Sequence, residues 1–206
     1  MASHLFTISE SLSYGWKTFK KNWQFLVMTF VIVMVVGMIP NWLHDWSREN
    51  LPATSFVFSI IGWLIQMITS IGVIVISLKF VDHKKPEVAD LYKHYNLLMN
   101  YFLGSLLYGL VTVAGFILLI VPRIIWGIKY QYTTYLIIDK KMGPIEAFKK
   151  SGKLTKGVKM KLFWLGLAFI GVTILGVLAL GFGLIIAWPV ISLAAAYVYR
   201  KLSPKE

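Results

Sequence analysis

Four stretches of this chain carry no Asp, Glu, Lys or Arg. They are residues 22–44, 50–78, 94–122 and 162–199, which run to 23, 29, 29 and 38 residues. An α-helix rises 1.5 Å per residue, so about 20 apolar residues cross the hydrocarbon core of a bilayer. Each stretch reaches that length, and the last can cross twice. Composition agrees: 57% of the 206 residues are hydrophobic and 15% charged, with a mean hydropathy of +0.69. Ordinary soluble domains run at about 45–50% and about 25%. A soluble fold of this size cannot hide so much apolar surface. These values argue against a soluble enzyme, a disordered tail or a nucleic-acid-binding domain. The absence of Cys excludes disulfides, thiol catalysis and Cys-ligated metals.

The spacing predicts an all-α, polytopic membrane protein, one integral membrane domain over residues 1–206. Six spans are expected, at about 25–42, 57–78, 102–121, 124–138, 162–180 and 182–199. Pro122 is expected to turn the third into the fourth, and Gly181 with Gly183 the fifth into the sixth. The fourth span, at 15 residues, is the shortest and most polar. No A-x-A cleavage site follows the first apolar stretch, so the first span is expected to remain as an anchor.

Lysine and arginine accumulate on the cytoplasmic side of short loops. Six spans arranged as three hairpins place 18 of the 21 basic residues on one side. Arg48 and Arg123 fall on the other, and Lys129 within the fourth span. Both termini are therefore expected in the cytoplasm, with the protein in a bacterial or archaeal cytoplasmic (inner) membrane. Trp16, Trp23, Trp42, Trp46, Trp126, Trp164 and Trp188 sit near span ends, as interfacial aromatics do.

An amphipathic segment precedes each hairpin. The first sets Leu5, Ile8, Leu12, Trp16, Phe19 and Trp23 at helical steps, with Thr7 and Glu10 as a capping box. The second sets Val88, Leu91, Tyr92, Tyr95, Leu98, Met99 and Phe102 on one face. The third opens at Gly143-Pro144 and continues through Ile145, Phe148, Ser151 and Gly152. Such helices lie in the headgroup plane on the cytoplasmic side, lysines outward. Two readings of Lys149, Lys150, Lys153, Lys156 and Lys159 stand together: contacts to anionic lipid, or topology control by positive charge. The approach Ser9-Glu10-Ser11-Leu12 echoes Ile145-Glu146-Ala147-Phe148, and Gly104/Gly109 echo Gly166/Gly171, so a three-hairpin array is expected.

Chemistry is sparse. The four histidines, His4, His44, His83 and His94, show no metal-ligand spacing. His44 with Asp45 and Glu49 forms the best imidazole–carboxylate group. Gly152-Lys153 lacks the remaining residues of a phosphate loop, and no G-x-S-x-G is present. No catalytic, metal or cofactor site is expected. The fourth span alone brings charge into the membrane: Lys129 stands with Gln131 and Thr133, and Gln66 of the second span can join them in a polar cavity. The other reading has Lys129 snorkelling to the headgroups while the polar groups bond between helices. Gly104, Gly109, Gly166, Gly171 and Gly176 permit close helix contact but lack G-x-x-x-G spacing.

Ile8-Ser9-Glu10-Ser11-Leu12-Ser13-Tyr14-Gly15-Trp16, Leu136-Ile137-Ile138-Asp139, Gly143-Pro144-Ile145-Glu146-Ala147-Phe148 and Leu154-Thr155-Lys156-Gly157 together resemble the bacterial glycerophosphoryl diester phosphodiesterase membrane-domain family and its uncharacterised six-span relatives. The resemblance implies a membrane module. It implies no catalysis, since the soluble phosphodiesterase barrel that follows in some relatives has no counterpart here. It also implies a basic residue at Lys129, and glycine where Arg123 stands.

The reading that follows is a non-enzymatic integral membrane protein, an accessory or scaffold module. It would contact anionic headgroups on the cytoplasmic side or a membrane partner, a second copy included, and no nucleic acid. One alternative is a small transporter or lipid-handling permease with its path around Lys129. Another is a membrane enzyme acting on lipid headgroups, with Asp139 and Glu146 as its carboxylates.

Overall fold

The computed structural model describes residues 6–50, 52–118, 120–179 and 181–204; side chains are described for the same residues except 49–50, 52–53, 116–118 and 120. Leu5, His4, Leu180 and Lys205 therefore lie outside the described residues. The described chain is helical throughout and contains no strand. It runs α1 (Ile8–Lys21), α2 (Trp23–Asn50), α3 (Pro52–Val81), α4 (Leu98–Leu118), α5 (Ile120–Tyr130), α6 (Thr133–Lys140), α7 (Pro144–Leu154), α8 (Lys159–Leu178) and α9 (Leu184–Leu202). Two 3₁₀ turns, Val88–Leu91 and Tyr95–Leu97, lead into α4. α2 packs along α3, α4 along α5, and α8 along α9.

Among the described residues, five stretches are long and apolar enough to cross a membrane: Trp23–Arg48, Thr54–Val81, Val88–Gly115, Lys159–Leu178 and Leu184–Leu202. The expected fourth span is not one helix. It is divided into α5 and α6 at Gln131 and Tyr132. Pro122 does not turn the third span either; it sits in the first turn of α5, where a missing N–H costs little. Gly181, at φ +81°, does form part of the turn into α9.

Burial divides the protein. Large apolar side chains face outward along α2, α4 and α8 and the first half of α3: Phe56, Leu110 and Leu178 are 71%, 60% and 73% exposed. A largely apolar exterior of this extent fits lipid. The packed core gathers instead where α3, α6 and α9 meet. Leu78, Leu136, Ile137, Val198 and Tyr199 are buried there, with Phe6, Ala147, Val158 and Leu162 closing over them.

The segments before α2, α4 and α8 all dock on neighbouring helices, α1 on α9, the 3₁₀ turns on α3 and α7 on α4 and α6. α1 lies on α9. Its buried face is Ser11, Gly15 and Phe19, at helical steps of four. A Cβ on Gly15 would collide with the carbonyl oxygen of Val190, so only glycine allows the approach. Trp16 and Trp23, expected on the same stripe as Phe19, are exposed. Thr7 caps α1 as its sequence predicts, its Oγ1 accepting the Glu10 N–H at 3.1 Å. Asn22 ends it, its Nδ2 donating to the Thr18 carbonyl at 3.0 Å.

The second segment is not the expected amphipathic helix. It is two 3₁₀ turns laid along α3, with Leu91 so close to Gly72 that any Cβ there would strike its backbone. Leu91 and Leu97 are buried while Tyr92, Tyr95 and Met99 point outward. The reason is a polar clamp: Asp90 accepts from Lys79 Nζ at 2.7 and 2.8 Å and from the Glu87 N–H at 2.8 Å. A buried carboxylate with three hydrogen bonds from two donors is well compensated, and a regular helix from Val88 would break that arrangement. α7 forms as predicted, with Gly143 as N-cap and Pro144 in its first turn.

Gly15→Val is expected to push α1 off α9 and to destabilise the protein by about 1–3 kcal/mol, the usual cost of overpacking. Thermal unfolding in detergent reads this directly, and an unchanged midpoint would contradict the α1–α9 contact.

Candidate functional site

Polar groups concentrate in two places, the break between α5 and α6 and the ends of α3, α6 and α9. At the break, the helical ladder leaves backbone groups unpaired, a costly state away from water. Side chains of α7 fill the gap. Ser151 Oγ donates to the Lys129 carbonyl at 3.1 Å and accepts the Tyr132 N–H at 3.2 Å. Thr155 Oγ1 donates to the same carbonyl at 3.1 Å. The ring of Phe148 stacks on Tyr130 with centroids 3.7 Å apart.

Three of the four residues expected to form a polar cavity lie at this break. Thr133 Oγ1 donates to the Tyr130 carbonyl at 2.7 Å and Gln131 Nε2 to that of Ile128 at 3.2 Å. The fourth, Gln66, turns toward Gly37 of α2. The Lys129 stem runs past Gly152, where a Cβ would sit 3.2 Å from its Cε, and its ammonium lies 4.8 Å from the Tyr130 ring centroid. Lys129 thus leans toward α7. There Lys149 and Lys153 are exposed, as are Lys156 and Lys159 beyond it, while Lys150 is half-buried. The buried face of α7 is Ala147 and Ser151, so these lysines occupy its outer side.

The second cluster went unseen in the sequence. Arg200, near the end of α9, holds two carboxylates. Its Nε lies 2.9 Å from Asp82 Oδ1, and its Nη2 donates to Asp82 Oδ2 at 3.1 Å. Nη1 and Nη2 donate to the two oxygens of Asp139, both at 2.8 Å. The Tyr199 hydroxyl adds a bond to Asp139 Oδ2 at 2.9 Å. All three charged side chains are at most 12% exposed. A planar guanidinium gripping two carboxylates in forked geometry is what Arg provides and Lys does not. Asp139, a carboxylate of the headgroup-enzyme alternative, is held by Arg200, 61 residues away. Nearby, the Tyr197 hydroxyl donates to Glu10 Oε1, which holds the Glu10 carboxyl below its usual range.

Of the His44 group, the Glu49 side chain lies outside the described residues. His44 Nδ1 lies 2.9 Å from Ser59 Oγ and 3.2 Å from the Ser55 carbonyl, tying the end of α2 to the start of α3. Among the described residues, no three His, Asp or Glu side chains could jointly hold a metal. Of the intramembrane glycines, Gly104 faces Ile137 and Gly176 faces Gly183, while Gly109, Gly166 and Gly171 have open space around them.

Residues 97–206 match a family described as a protein of unknown function, DUF975. The chain belongs to this family. The match takes in the α5–α6 break, α7, Asp139 and Arg200, and leaves out α1 and Asp82. Uncharacterised proteins of Mycobacterium bovis and of two Mycobacterium tuberculosis strains are 25% identical over 229 aligned positions, covering 96% of this chain and 69% of theirs. No solved structure matches. The family shown is one of unknown function, and the likeness to the glycerophosphoryl diester phosphodiesterase membrane domain stays with the short motifs quoted above.

Arg200→Met removes the guanidinium from two buried carboxylates and is expected to cost about 3–5 kcal/mol; Arg200→Lys should recover less than half. Ser151→Ala orphans the Tyr132 N–H and should cost about 1–3 kcal/mol. Lys129→Ala keeps the carbonyl that α7 caps and should cost less than Ser151→Ala. Thermal midpoints in one detergent rank the four.

Proposed function

We infer that this protein is a non-enzymatic integral membrane module, crossing the bilayer as three hairpins with both termini and its lysine-rich segments on the cytoplasmic side. Its role is that of an accessory or scaffold, contacting anionic lipid or a membrane partner. The observation that carries the reading is the division of the surface. Apolar side chains are exposed along α2, α4 and α8, whereas lysines are exposed on α1, on α7 and between α7 and α8. Juxtamembrane lysines gain roughly 1 kcal/mol each from an anionic leaflet. The inner membrane of a bacterium or archaeon is the setting that fits this charge distribution.

A transporter reading has one observation in its favour. A discontinuous helix with a cation at the break is how many transporters build a substrate site. Here the freed carbonyl of Lys129 is occupied by Ser151 and Thr155, and the ammonium leans toward α7 rather than toward Gln66. Both features favour the scaffold reading. The motif likeness to a phosphodiesterase membrane domain supports the same reading, since such a domain anchors and does not itself hydrolyse.

Single cysteines test the topology cleanly because the chain has none of its own. Arg48→Cys and Pro122→Cys should react with an impermeant thiol reagent in intact cells. Lys84→Cys, Lys149→Cys and Pro204→Cys should react only after the membrane is opened. Labelling of Lys149→Cys in intact cells would refute the orientation. Replacing Lys149, Lys150, Lys153, Lys156 and Lys159 together by Gln should lower the enrichment of phosphatidylglycerol around the reconstituted protein, read by lipid analysis after detergent extraction. Unchanged enrichment would count against lipid contact by these lysines.

A further inference from the structure

Two grooves run along α9 and share Ile186 as the ridge between them. The first, of about 440 Å³, lies between Phe19, Trp23 and Val27 on one side and Phe182 and Ile185 on the other. The second, of about 360 Å³, lies between Leu12 and Trp16 of α1 and Leu175 and Gly176 of α8. Both open to the outside, where Trp16, Trp23, Leu175 and Phe182 are exposed. Among the described residues, Lys20 is the one charged side chain that lines either groove. Its ammonium lies 5.0 Å from the Trp16 ring centroid. Lys20 belongs to the first groove and Trp16 to the second, so the cation stands at the wall where the two come together.

We propose that this pair of grooves binds one diacyl phospholipid with an anionic headgroup, its two acyl chains on either side of Ile186 and its phosphate against Lys20. The assignment rests on the membrane reading above but names a site separate from the lysines around α7. Apolar walls alone would accept any lipid. A single cation at the junction of two apolar channels matches a molecule with two hydrocarbon tails and one negative head, and among the described residues no acidic side chain lines either groove. Lys17 and Lys21 stand exposed beside Lys20 on α1 and strengthen the preference for negative charge. Trp16 and Trp23 add amphipathic rings to the groove walls beside Lys20. The close approach of Gly15 to Val190 places α1 against α9, and that contact brings the walls together.

The test uses the full chain in detergent, titrated with palmitoyl-oleoyl phosphatidylglycerol or with phosphatidylcholine of the same tails, and bound lipid counted by native mass spectrometry. One phosphatidylglycerol per chain is expected, held more tightly than phosphatidylcholine. Lys20→Gln should lower phosphatidylglycerol affinity about fivefold, the worth of one lysine near an anionic headgroup, and leave phosphatidylcholine unchanged. Ile186→Trp should block both lipids, and Phe182→Ala, on an exposed side chain, should weaken both if the tryptophan variant does not fold. The five-lysine glutamine variant should keep the single tight lipid. Wild-type binding by the Lys20 and groove variants would overturn the site. So would a second copy of the chain occupying the grooves in place of lipid, seen as a dimer that excludes phosphatidylglycerol. Loss of phosphatidylglycerol only in the five-lysine variant would overturn the groove while upholding the broader lipid reading. No loss in any variant would overturn both.

Discussion

Arg200 is the point on which the arrangement of helices turns. Lipid is as apolar as leucine, so helices within it gain little from hiding apolar faces from one another. Something directional must hold them in register. The guanidinium of Arg200 takes Asp82 from the end of α3 and Asp139 from the end of α6 in one grip, and Tyr199 secures Asp139 from the adjacent position. Three helices far apart in sequence are thereby tied at one level. A buried ion cluster of this kind is weak evidence for stability in itself, since removing charges from water is costly. Its value lies in geometry, because the forked guanidinium meets both carboxylates only when the three helix ends stand at one level.

The polar repairs elsewhere follow one physical rule. Where backbone groups are freed away from water, a nearby hydroxyl or carboxylate meets them. Ser151 and Thr155 do this for the break between α5 and α6. Asp90 does it for Glu87 at the first 3₁₀ turn while also neutralising Lys79. Tyr14 does it for the end of α3, its hydroxyl donating to the Phe80 carbonyl at 3.1 Å. In each case the donor or acceptor comes from a segment lying just before a long apolar helix. These segments dock on helices and seal their ends, with their lysines turned outward.

Much of this was legible beforehand. The charge-free runs located the long helices, and the cap residues Thr7, Gly143 and Pro144 marked where α1 and α7 begin, because such signals are local. The echo between residues 9–12 and 145–148 has a structural counterpart: Ser11 and Gly15 on α1, and Ala147 and Ser151 on α7, form the two buried faces. What was not legible depends on distant partners. Arg200 and Asp82 are 118 residues apart, and an Asp at the end of an apolar run looks the same whether it meets lysine, water or arginine. The helical spacing of Val88 to Phe102 was real but misleading, since Asp90 found Lys79 and wound the segment into 3₁₀ turns. Lys129 and Gln66 looked like partners because both are polar among apolar neighbours, yet spacing along the chain carries no information about which way two helices face.

The docking of α1 on α9 sets an order for assembly. α1 leaves the ribosome well before its seat on α9 does. At roughly 5–20 residues per second, the wait between Gly15 and Val190 is on the order of ten seconds or more. During that interval the face of Ser11, Gly15 and Phe19 has no native partner. α1 is therefore fastened like a belt through a buckle that is made later, when α9 arrives.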